Sequence, residues 1–332
     1  MATTAPTISI GLWYDSQAEQ AANFYKSIFP DSSIDHILKY SKEGKEHHGQ
    51  KEGTVMTVDF QLAGTHFQAI NGGPLFKMNP SISLFVVCET HEETDEVWNK
   101  LVEQGHVLMP LEKYEWSERY GWLQDRWGLS WQVSLGKISA VGQKITPSLM
   151  FVGDKAGKAE EALKFYTSVF KDSGVDGIKK YPAGGPEPEG HIMHAQFKLA
   201  DSKFMIMDSS GPHHFSFNEA VSITVNCKDQ AEIDYYWSKL TSGGGRESMC
   251  GWLADKFGVS WQVAPVRLAE MLGERDQKKV DRVTKAFMKM RKFDMAKVGD
   301  GFRRRRTSRQ LKDSWQLLCA STASSLSRPR RP

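Results

Sequence analysis

An unusual phrase occurs twice in this chain and constrains its fold more than any other feature. The phrase YGWLQDRWGLSWQV begins at Tyr120, and CGWLADKFGVSWQV begins at Cys250. Nine of the 14 aligned positions are identical, whereas unrelated segments of this length would share about one position. The phrase is therefore an internal repeat, and it predicts a chain built from two copies of one unit.

Further motifs repeat in the same order along both halves. AANFYKSIF matches ALKFYTSVF, VDFQLAGTHFQ matches AQFKLADSKFM, and ETDEVWNKL matches EIDYYWSKL. GGPLFKMNPSISLFVVC likewise matches SGPHHFSFNEAVSITVNC. Because the matches extend through each half, the 332 residues are expected to form two domains, each large enough to bury its own core.

Hydrophobic periodicity predicts the element types. Apolar residues around Tyr25 and Tyr166 recur at steps of four, three and four, which is typical of a helix with one buried face. VMTVDFQL alternates as a strand does, and the β-branched runs SISLFVVC and VSITVNC precede helices that carry Trp98 and Trp237. Each half therefore predicts two βαβββ modules, and the fold class is α+β.

The pattern changes after the second copy of the repeat. Val280, Val283 and Phe287 share one face of a predicted helix whose other face is rich in Lys and Arg. We expect this helix to pack on the second domain; an amphipathic helix that faces a membrane is the alternative. The end of the chain contains RRRRTSR and SRPRRP around a serine-rich stretch, which is typical of a disordered basic tail. The alternative for this tail is a nuclear address or a nucleic-acid patch.

These observations define five predicted segments. They are 1–137 for the first domain, 138–144 for the linker, 145–267 for the second domain, 268–302 for a helical extension and 303–332 for the disordered basic tail.

Composition narrows the cellular context. The four cysteines show no CxxC spacing, so we expect reduced thiols in the core and neither a disulfide framework nor a zinc site. No apolar run approaches the length of a membrane span. The start MATTAPTISIGLWYD lacks the basic and apolar regions of a signal peptide, so we expect a cytoplasmic protein.

Several motifs resemble those of a known family. FYKSIF, FYTSVF, NGGP, FNEAVS and both GWL…SWQV phrases are similar to the PhnB-like family, which is described as 3-demethylubiquinone-9 3-methyltransferase-like. That family lies within the vicinal oxygen chelate superfamily of glyoxalases, extradiol dioxygenases and antibiotic-resistance proteins. The resemblance implies two tandem glyoxalase-like domains, in which paired βαβββ modules curl into a cup. Active members of the superfamily hold a divalent metal there as a Lewis acid, through His, Gln or Glu.

The resemblance also locates the metal-ligand positions in this chain. They fall at Gln132 and Gln262, at Gln68 and Met205, and near Ile10 and Pro147. None of these is a carboxylate or an imidazole, and a neutral amide binds a metal weakly. His191 and His194 are three apart on a predicted strand and therefore lie on opposite faces. We expect no cofactor; a divalent metal stays the alternative.

Two glycine-rich segments differ from the turn that binds S-adenosylmethionine or nucleotides. SGGGR follows a predicted helix, and NGGP ends a strand without a long helix after it. A cofactor-binding turn instead follows the first strand of a parallel sheet and opens a helix. Both segments are therefore interpreted as tight turns.

The repeated phrase indicates which side chains face the cup. If Gln132 points into the cup, Trp131 points the other way, so Trp131 and Trp261 are predicted to lie in the core. Asp125 and Asp255 are interpreted as turn residues. Aromatic walls with a few amides suit a neutral or weakly polar small molecule. The candidate pocket residues are Trp13, Gln68, Asn71, Asn79, Trp122 and Gln132 in the first half, and Met150, Asp208, Asn218, Trp252 and Gln262 in the second.

The sequence thus predicts a PhnB-like protein of the vicinal oxygen chelate type that binds a small organic molecule without a metal. It does not define a reaction. The alternatives are a metal-dependent enzyme of the glyoxalase or dioxygenase kind, a methyltransferase as the family label suggests, and nucleic-acid association through the basic tail. We expect a monomer in which the two domains pair within one chain, with no membrane association.

Overall fold

The computed structural model describes residues 6–303, with the exception of the His47 side chain. Within this range the first half carries two βαβββ modules, as predicted. The first module consists of β1 (Ile8–Tyr14), α1 (Ala18–Ile28), β2 (Ser33–Lys39), α2 (Lys45–His48), β3 (Val55–Leu62) and β4 (Thr65–Asn71). The second consists of β5 (Ile82–Cys88), α3 (His91–Val102), β6 (His106–Tyr114), β7 (Ser117–Gln124) and β8 (Ser130–Leu135).

The second half repeats this order after a short connecting helix, α4 (Ile138–Val141). The third module consists of β9 (Ile145–Phe151), a 3₁₀ turn (Gly153–Lys155), α5 (Ala159–Val169), β10 (Gly174–Lys180), β11 (Ile192–Leu199) and β12 (Ser202–Asp208). The fourth consists of β13 (Val221–Cys227), α6 (Gln230–Leu240), β14 (Arg246–Glu247), β15 (Trp252–Ala254) and β16 (Ser260–Pro265). A helical extension follows, with α7 (Val266–Leu272), α8 (Gln277–Phe287) and α9 (Met295–Phe302).

The four modules pair across the two halves of the chain. Sheet A has the order β14-β15-β16-β13-β1-β4-β3-β2 and combines the first and fourth modules. Sheet B has the order β10-β11-β12-β9-β5-β8-β7-β6 and combines the second and third. The modules join through antiparallel pairs, β1 with β13 and β5 with β9. Grouping the candidate pocket residues by sequence half was therefore wrong, because each sheet takes one module from each half.

Hydrogen bonds between two crossover segments stabilise this pairing of modules from different halves. Asn79, between β4 and β5, donates from Nδ2 to the carbonyl of Ser216 at 3.0 Å. Asn218, between β12 and β13, donates from Nδ2 to the carbonyl of Lys77 at 2.9 Å. The two bonds are reciprocal, so each crossover segment holds the other where the chain passes from one sheet to the next.

The repeated phrase folds around a buried carboxylate in each half. Asp125 accepts hydrogen bonds from the Tyr25 hydroxyl at 2.6 Å and the Trp131 indole at 2.9 Å, and from the backbone N–H groups of Trp127 and Leu129. Trp131 is fully buried, and its counterpart Trp261 is too, as predicted for the core. The backbone bonds confirm the turn role of Asp125, and the side-chain bonds add a link to α1 that the turn prediction lacked.

The extension and the cysteines behave largely as the sequence indicated. Val283 and Phe287 of α8 are buried, which confirms the apolar face of this helix. Cys88 and Cys227 are buried, Cys250 is half-buried, and all three are free thiols. The predicted tail, from 304 onward, and Cys319 lie outside the described residues. Among residues 6–303, no helix is long and apolar enough to cross a membrane.

Candidate functional site

Each sheet has one face covered by helices and one that carries polar side chains. On β1, Ile10 and Leu12 are buried in the core below α1, so Gly11 and Trp13, which alternate with them, lie on the opposite face. We call this opposite face cup A in sheet A and cup B in sheet B. The cups are where the resemblance to the vicinal oxygen chelate superfamily implies a ligand.

A glutamine–serine pair lies at the same place in both cups. In cup B, Gln132 donates from Nε2 to Oγ of Ser83 at 2.6 Å. In cup A, Gln262 donates from Nε2 to Oγ of Ser222 at 2.9 Å. Both glutamines were predicted to face the cups, and each pair joins two neighbouring parallel strands.

Gly11 lies at the centre of cup A, between the strands that carry its polar groups. Its register partners are Ser222 on one side and Gln68 on the other. A Cβ atom at Gly11 would collide with Oγ of Ser222 and lie 2.5 Å from Nε2 of Gln262. Glycine is therefore required here, and β1 supplies no side chain that could act as a metal ligand at this point.

Asp59 is a cup A residue that the candidate list missed. Gln68 donates from Nε2 to Oδ1 of Asp59 at 2.8 Å, across β4 and β3. Burial raises the pKa of the Asp59 carboxyl, and the hydrogen bond from Gln68 and the nearby His36 only partly offset this effect. The strand alternation was the available signal, because it places Asp59 opposite the buried Val58 and Phe60.

Cup A also contains buried hydroxyl groups that lack a partner. Oγ1 of Thr57 and Oγ1 of Thr224 are buried, and neither makes a hydrogen bond. Ser260, beside Gln262 on β16, has the same property. A buried polar group without a partner costs about 1–3 kcal/mol. These hydroxyls therefore offer unused hydrogen-bonding capacity to a polar molecule in the cup.

Two tryptophans from opposite halves of the sequence form an aromatic wall of cup A. The rings of Trp13 and Trp252 meet edge to face with centroids 6.0 Å apart, and Phe76 packs on Trp13 at 5.0 Å. The Trp13 indole donates to the carbonyl of Gly73 at 2.7 Å, and the NGGP turn lies against the ring, where a Cβ at Gly72 would collide with it. The turn thus fixes the position of the Trp13 ring, a contact that its interpretation as a tight turn did not include.

Cup B is lined differently. Tyr120 donates from its hydroxyl to Oε1 of Gln132 at 2.8 Å, and the Trp122 indole donates to Oγ of Ser130 at 2.7 Å. Met150 and Met205 are buried where cup A has Trp13 and Gln68. Gln132, Tyr120, Ser83 and the Trp122–Ser130 pair of cup B therefore bond one another, while Thr146 on β9 has a buried Oγ1 without a partner, as Thr57 and Thr224 do in cup A.

Four of the candidate residues form hydrogen bonds that position helices and crossover segments. Asn71 accepts from the backbone N–H of Ala18 at 2.8 Å, at the start of α1. Asp208 plays the same part at the start of α5, where it accepts from Gly157 and Ala159. Asn79 and Asn218 join the crossovers described above. The seven remaining candidates divide between the cups: Trp13, Gln68, Trp252 and Gln262 in cup A, and Trp122, Gln132 and Met150 in cup B.

The donor atoms of cup A fit a divalent metal poorly. Gln68 and Gln262 supply neutral amides that are already engaged with Asp59 and Ser222, and Asp59 supplies one carboxylate. Within the described residues, no three His, Cys, Asp or Glu side chains lie close enough together to hold a metal ion. Neutral amides that are already hydrogen-bonded are weak ligands for a divalent cation.

Paired βαβββ modules, with helices on one face and a cup on the other, define a vicinal oxygen chelate fold. Residues 6–134 and 143–264 match the family described as 3-demethylubiquinone-9 3-methyltransferase, and the chain belongs to this family. The two matched segments correspond to the two sequence halves, which confirms the tandem repeat and the predicted resemblance. A comparison with curated proteins finds no match.

Several solved structures are similar to this chain. A PhnB protein from Bacillus cereus is 42% identical over 39% of this chain and 98% of its own, with a TM-score of 0.35. A protein from Staphylococcus aureus is 32% identical over 41% of this chain and 100% of its own, with a TM-score of 0.17. A glyoxalase I mutant from Zea mays is 10% identical over 78% of this chain and 94% of its own, with a TM-score of 0.50. The glyoxalase likeness concerns the fold alone.

Proposed function

We propose that this protein binds a small organic molecule in cup A through hydrogen bonds, without a metal ion. The observation that carries the proposal is the cluster around Gly11, in which the Asp59–Gln68 pair and the Gln262–Ser222 pair lie on adjacent strands. A few convergent polar groups beside an aromatic wall are typical of small-molecule sites.

The chemistry of these groups suggests the class of ligand. Thr57 and Thr224 each offer a hydroxyl that can donate or accept, and the amide oxygens of Gln68 and Gln262 can accept. Trp13 and Trp252 offer apolar ring surface. A neutral molecule with hydroxyl or carbonyl groups on a compact carbon frame matches this set, because an anion would be placed next to the Asp59 carboxyl.

Asp59 is a group of cup A that can exchange a proton, and His36 is its register partner on β2. Because burial raises its pKa, its carboxyl gains a proton at a higher pH than an exposed aspartate does. The protonated form can donate a hydrogen bond to a ligand oxygen, whereas the ionised form can only accept. Ligand affinity should therefore depend on pH.

The two cups supply a matched pair of variants for the test. Small molecules extracted from the purified full chain are identified by mass spectrometry, and a panel of hydroxylated and carbonyl compounds is screened alongside them. Calorimetry then compares the wild type with Gln262→Leu and with its counterpart in cup B, Gln132→Leu. We expect at least tenfold weaker binding for Gln262→Leu, because a hydrogen-bonding amide is lost from cup A, and near wild-type binding for Gln132→Leu.

Three results would contradict the proposal. Equal or larger loss for Gln132→Leu would place the ligand in cup B. Binding that EDTA abolishes and Mn²⁺, Ni²⁺ or Zn²⁺ restores would favour the metal-dependent alternative. A screen in which no compound binds the wild type would contradict a ligand site of this class.

A further inference from the structure

We infer that residues 266–303 form a displaceable roof over cup A that controls how molecules enter and leave it. The inference rests on the proposed function of cup A for its role, but the roof itself is argued from contacts that need no ligand. We use "the roof" for α7, α8, α9 and the segments that connect them.

The two halves of the chain differ most at one hairpin. In sheet B, β6 has 9 residues and β7 has 8. Their counterparts in sheet A, β14 and β15, have 2 and 3 residues. The edge of sheet A is therefore much shorter than the corresponding edge of sheet B.

The roof occupies the place of the missing hairpin. The backbone N–H groups of Cys250 and Gly251 both donate at 2.7 Å, to the carbonyls of Met290 and Arg291 in the roof. A Cβ at Gly251 would collide with the ring of Phe293, whereas the matching glycine of sheet B faces a tryptophan of its own module. A segment from the end of the chain thus completes the edge that the fourth module lacks.

The same segment also contacts the far edge of sheet A. Lys42, just after β2, forms an ion pair with Asp281 of α8, with Nζ 3.4 Å from Oδ2. Gly44 lies against Met288, since a Cβ there would come within 3.3 Å of the methionine Cε. The β2 strand and the β14–β15 pair are the two ends of the sheet order. One helical segment therefore reaches from one edge of the sheet to the other.

The contacts that α7 and α8 make at the two edges lie on the cup side, whereas Phe293 packs on the opposite face at Gly251 and its carbonyl accepts a hydrogen bond from Gln230 of α6. Leu38 of β2 pairs with Thr57, a cup A residue, and is buried near Gly273 at the end of α7. Cys250 corresponds in the repeat to Tyr120, whose hydroxyl reaches into cup B. Its Sγ contacts the carbonyl of Phe287 at 3.9 Å. The roof thus spans the open side of cup A.

The roof can separate from the sheet more easily than a hairpin can. The β6–β7 hairpin is joined to β8 by a strand ladder from Tyr120 to Gln124. The roof has two backbone bonds to Cys250 and Gly251, just before β15, and side-chain bonds between Gln230 and the backbone of Phe293 and Met295. It also has exposed ion pairs such as Lys292 with Asp234, and buried apolar side chains such as Val283. No strand ladder joins it to the sheet within the described residues. Segments with few bonds to the rest of a protein open at lower free energy than the core does.

Hydrogen exchange of the ligand-free full chain tests the roof directly. We expect the Cys250 and Gly251 amides, which are bonded to the roof, to exchange at least tenfold faster than the matching Tyr120 and Gly121 amides of the hairpin. Phe293→Ala should speed exchange at Cys250 and Gly251 at least a further tenfold, with no change in β1 and β13. As a control of similar burial, Phe204→Ala in sheet B should not act selectively at these two amides.

Two outcomes would overturn the inference. One is equal exchange at the two pairs of amides in the wild type. The other is a Phe293→Ala variant in which exchange rises uniformly through sheet A, since the extension would then be an inseparable part of the core. These exchange measurements contain no ligand, so they test the roof independently of the proposed function. If the roof opens as expected but no compound binds the protein, the proposed function is contradicted and the inference about the roof stands.

Cysteine labelling gives a second readout that needs no destabilising variant. Burial raises the pKa of Cys250 to about 11 and those of Cys88 and Cys227 to about 12. In a Cys319→Ser chain treated with iodoacetamide, Cys250 should react first, at a rate that rises with urea less steeply than global unfolding does, because opening the roof exposes less surface than unfolding the whole chain. Cys88 and Cys227 should react only with global unfolding. Joint labelling of all three thiols would contradict a roof that opens separately.

Discussion

Replacing the cup glutamines by glutamate gives a matched test of the two sites. Gln132 accepts a hydrogen bond from the Tyr120 hydroxyl and donates to Ser83, so a carboxylate there can accept from two hydroxyls. At Gln262 the position of Tyr120 is taken by Cys250, and the hydroxyl that the Gln262 side chain contacts is that of Ser222. Gln262→Glu therefore buries a less well-solvated charge than Gln132→Glu does.

The magnitude follows from the protonation equilibrium of the new carboxyl group. Gln262 is 8% exposed. With one hydroxyl partner, we expect burial there to raise the glutamate pKa above its ordinary value, because burial disfavours the charged form. At about 1.4 kcal/mol for each pKa unit, the charged form should cost about 2 kcal/mol at pH 7. For Gln132→Glu, the two hydroxyl donors should reduce the cost to about 1 kcal/mol or less.

The stability cost of the new carboxyl group should increase as the pH rises. A carboxyl whose pKa is higher in the folded state binds more protons there, so its cost is absent below its unfolded pKa of about 4.3 and grows as the pH rises through the raised folded pKa. Urea unfolding of both variants and the wild type between pH 4 and pH 7 measures this cost. The reasoning is refuted if Gln262→Glu is as stable as Gln132→Glu at pH 7, or if the difference persists unchanged at pH 4.

Three further predictions concern the cup, the core and the assembly. Asp59→Asn should be at least as stable as the wild type at pH 7, because a buried carboxyl with a raised pKa destabilises the fold above that pKa. The same variant should change the pH dependence of ligand affinity. A clear loss of stability in urea unfolding at pH 7 would contradict this prediction. Asp125→Ala and Asp255→Ala should each cost about 3 kcal/mol or more in urea unfolding, because each leaves an indole and backbone N–H groups without a buried acceptor; a loss below about 1 kcal/mol would show that the turn tolerates their absence. Light scattering should give the mass of one chain, because both module pairs form within it, and a stable dimer would contradict that expectation.

Local pattern in the sequence was sufficient for the modules and their interior. The doubled phrase, the helical stripes around Tyr25 and Tyr166, and the strand alternation predicted the α+β class and the burial of Trp131 and Trp261. These features depend on neighbours within a few residues or one strand, so the periodicity of 3.6 or 2 records them directly. The same alternation also indicated that Gln132 and Gln262 face away from the core.

The pairing of modules was decided by the tertiary structure. The first strand of every module, β1, β5, β9 and β13, is mostly buried and apolar, so its sequence pattern alone allows β1 to pair with β5 of its own half or with β13 of the other. The choice depends on contacts between segments far apart in sequence, such as the reciprocal bonds of Asn79 and Asn218. Sequence matching between halves carries no information about these contacts.

The composition of the site follows from that pairing. Trp13 meets Trp252, and Gly11 lies between Gln68 and Ser222, only because the first and fourth modules share a sheet. The sequence by itself determined which residues each module offers to a cup, since strand alternation is a local property. Which residues meet, and which cup the extension covers, depends on long-range strand pairing and on a hairpin of sheet A too short to complete its own edge.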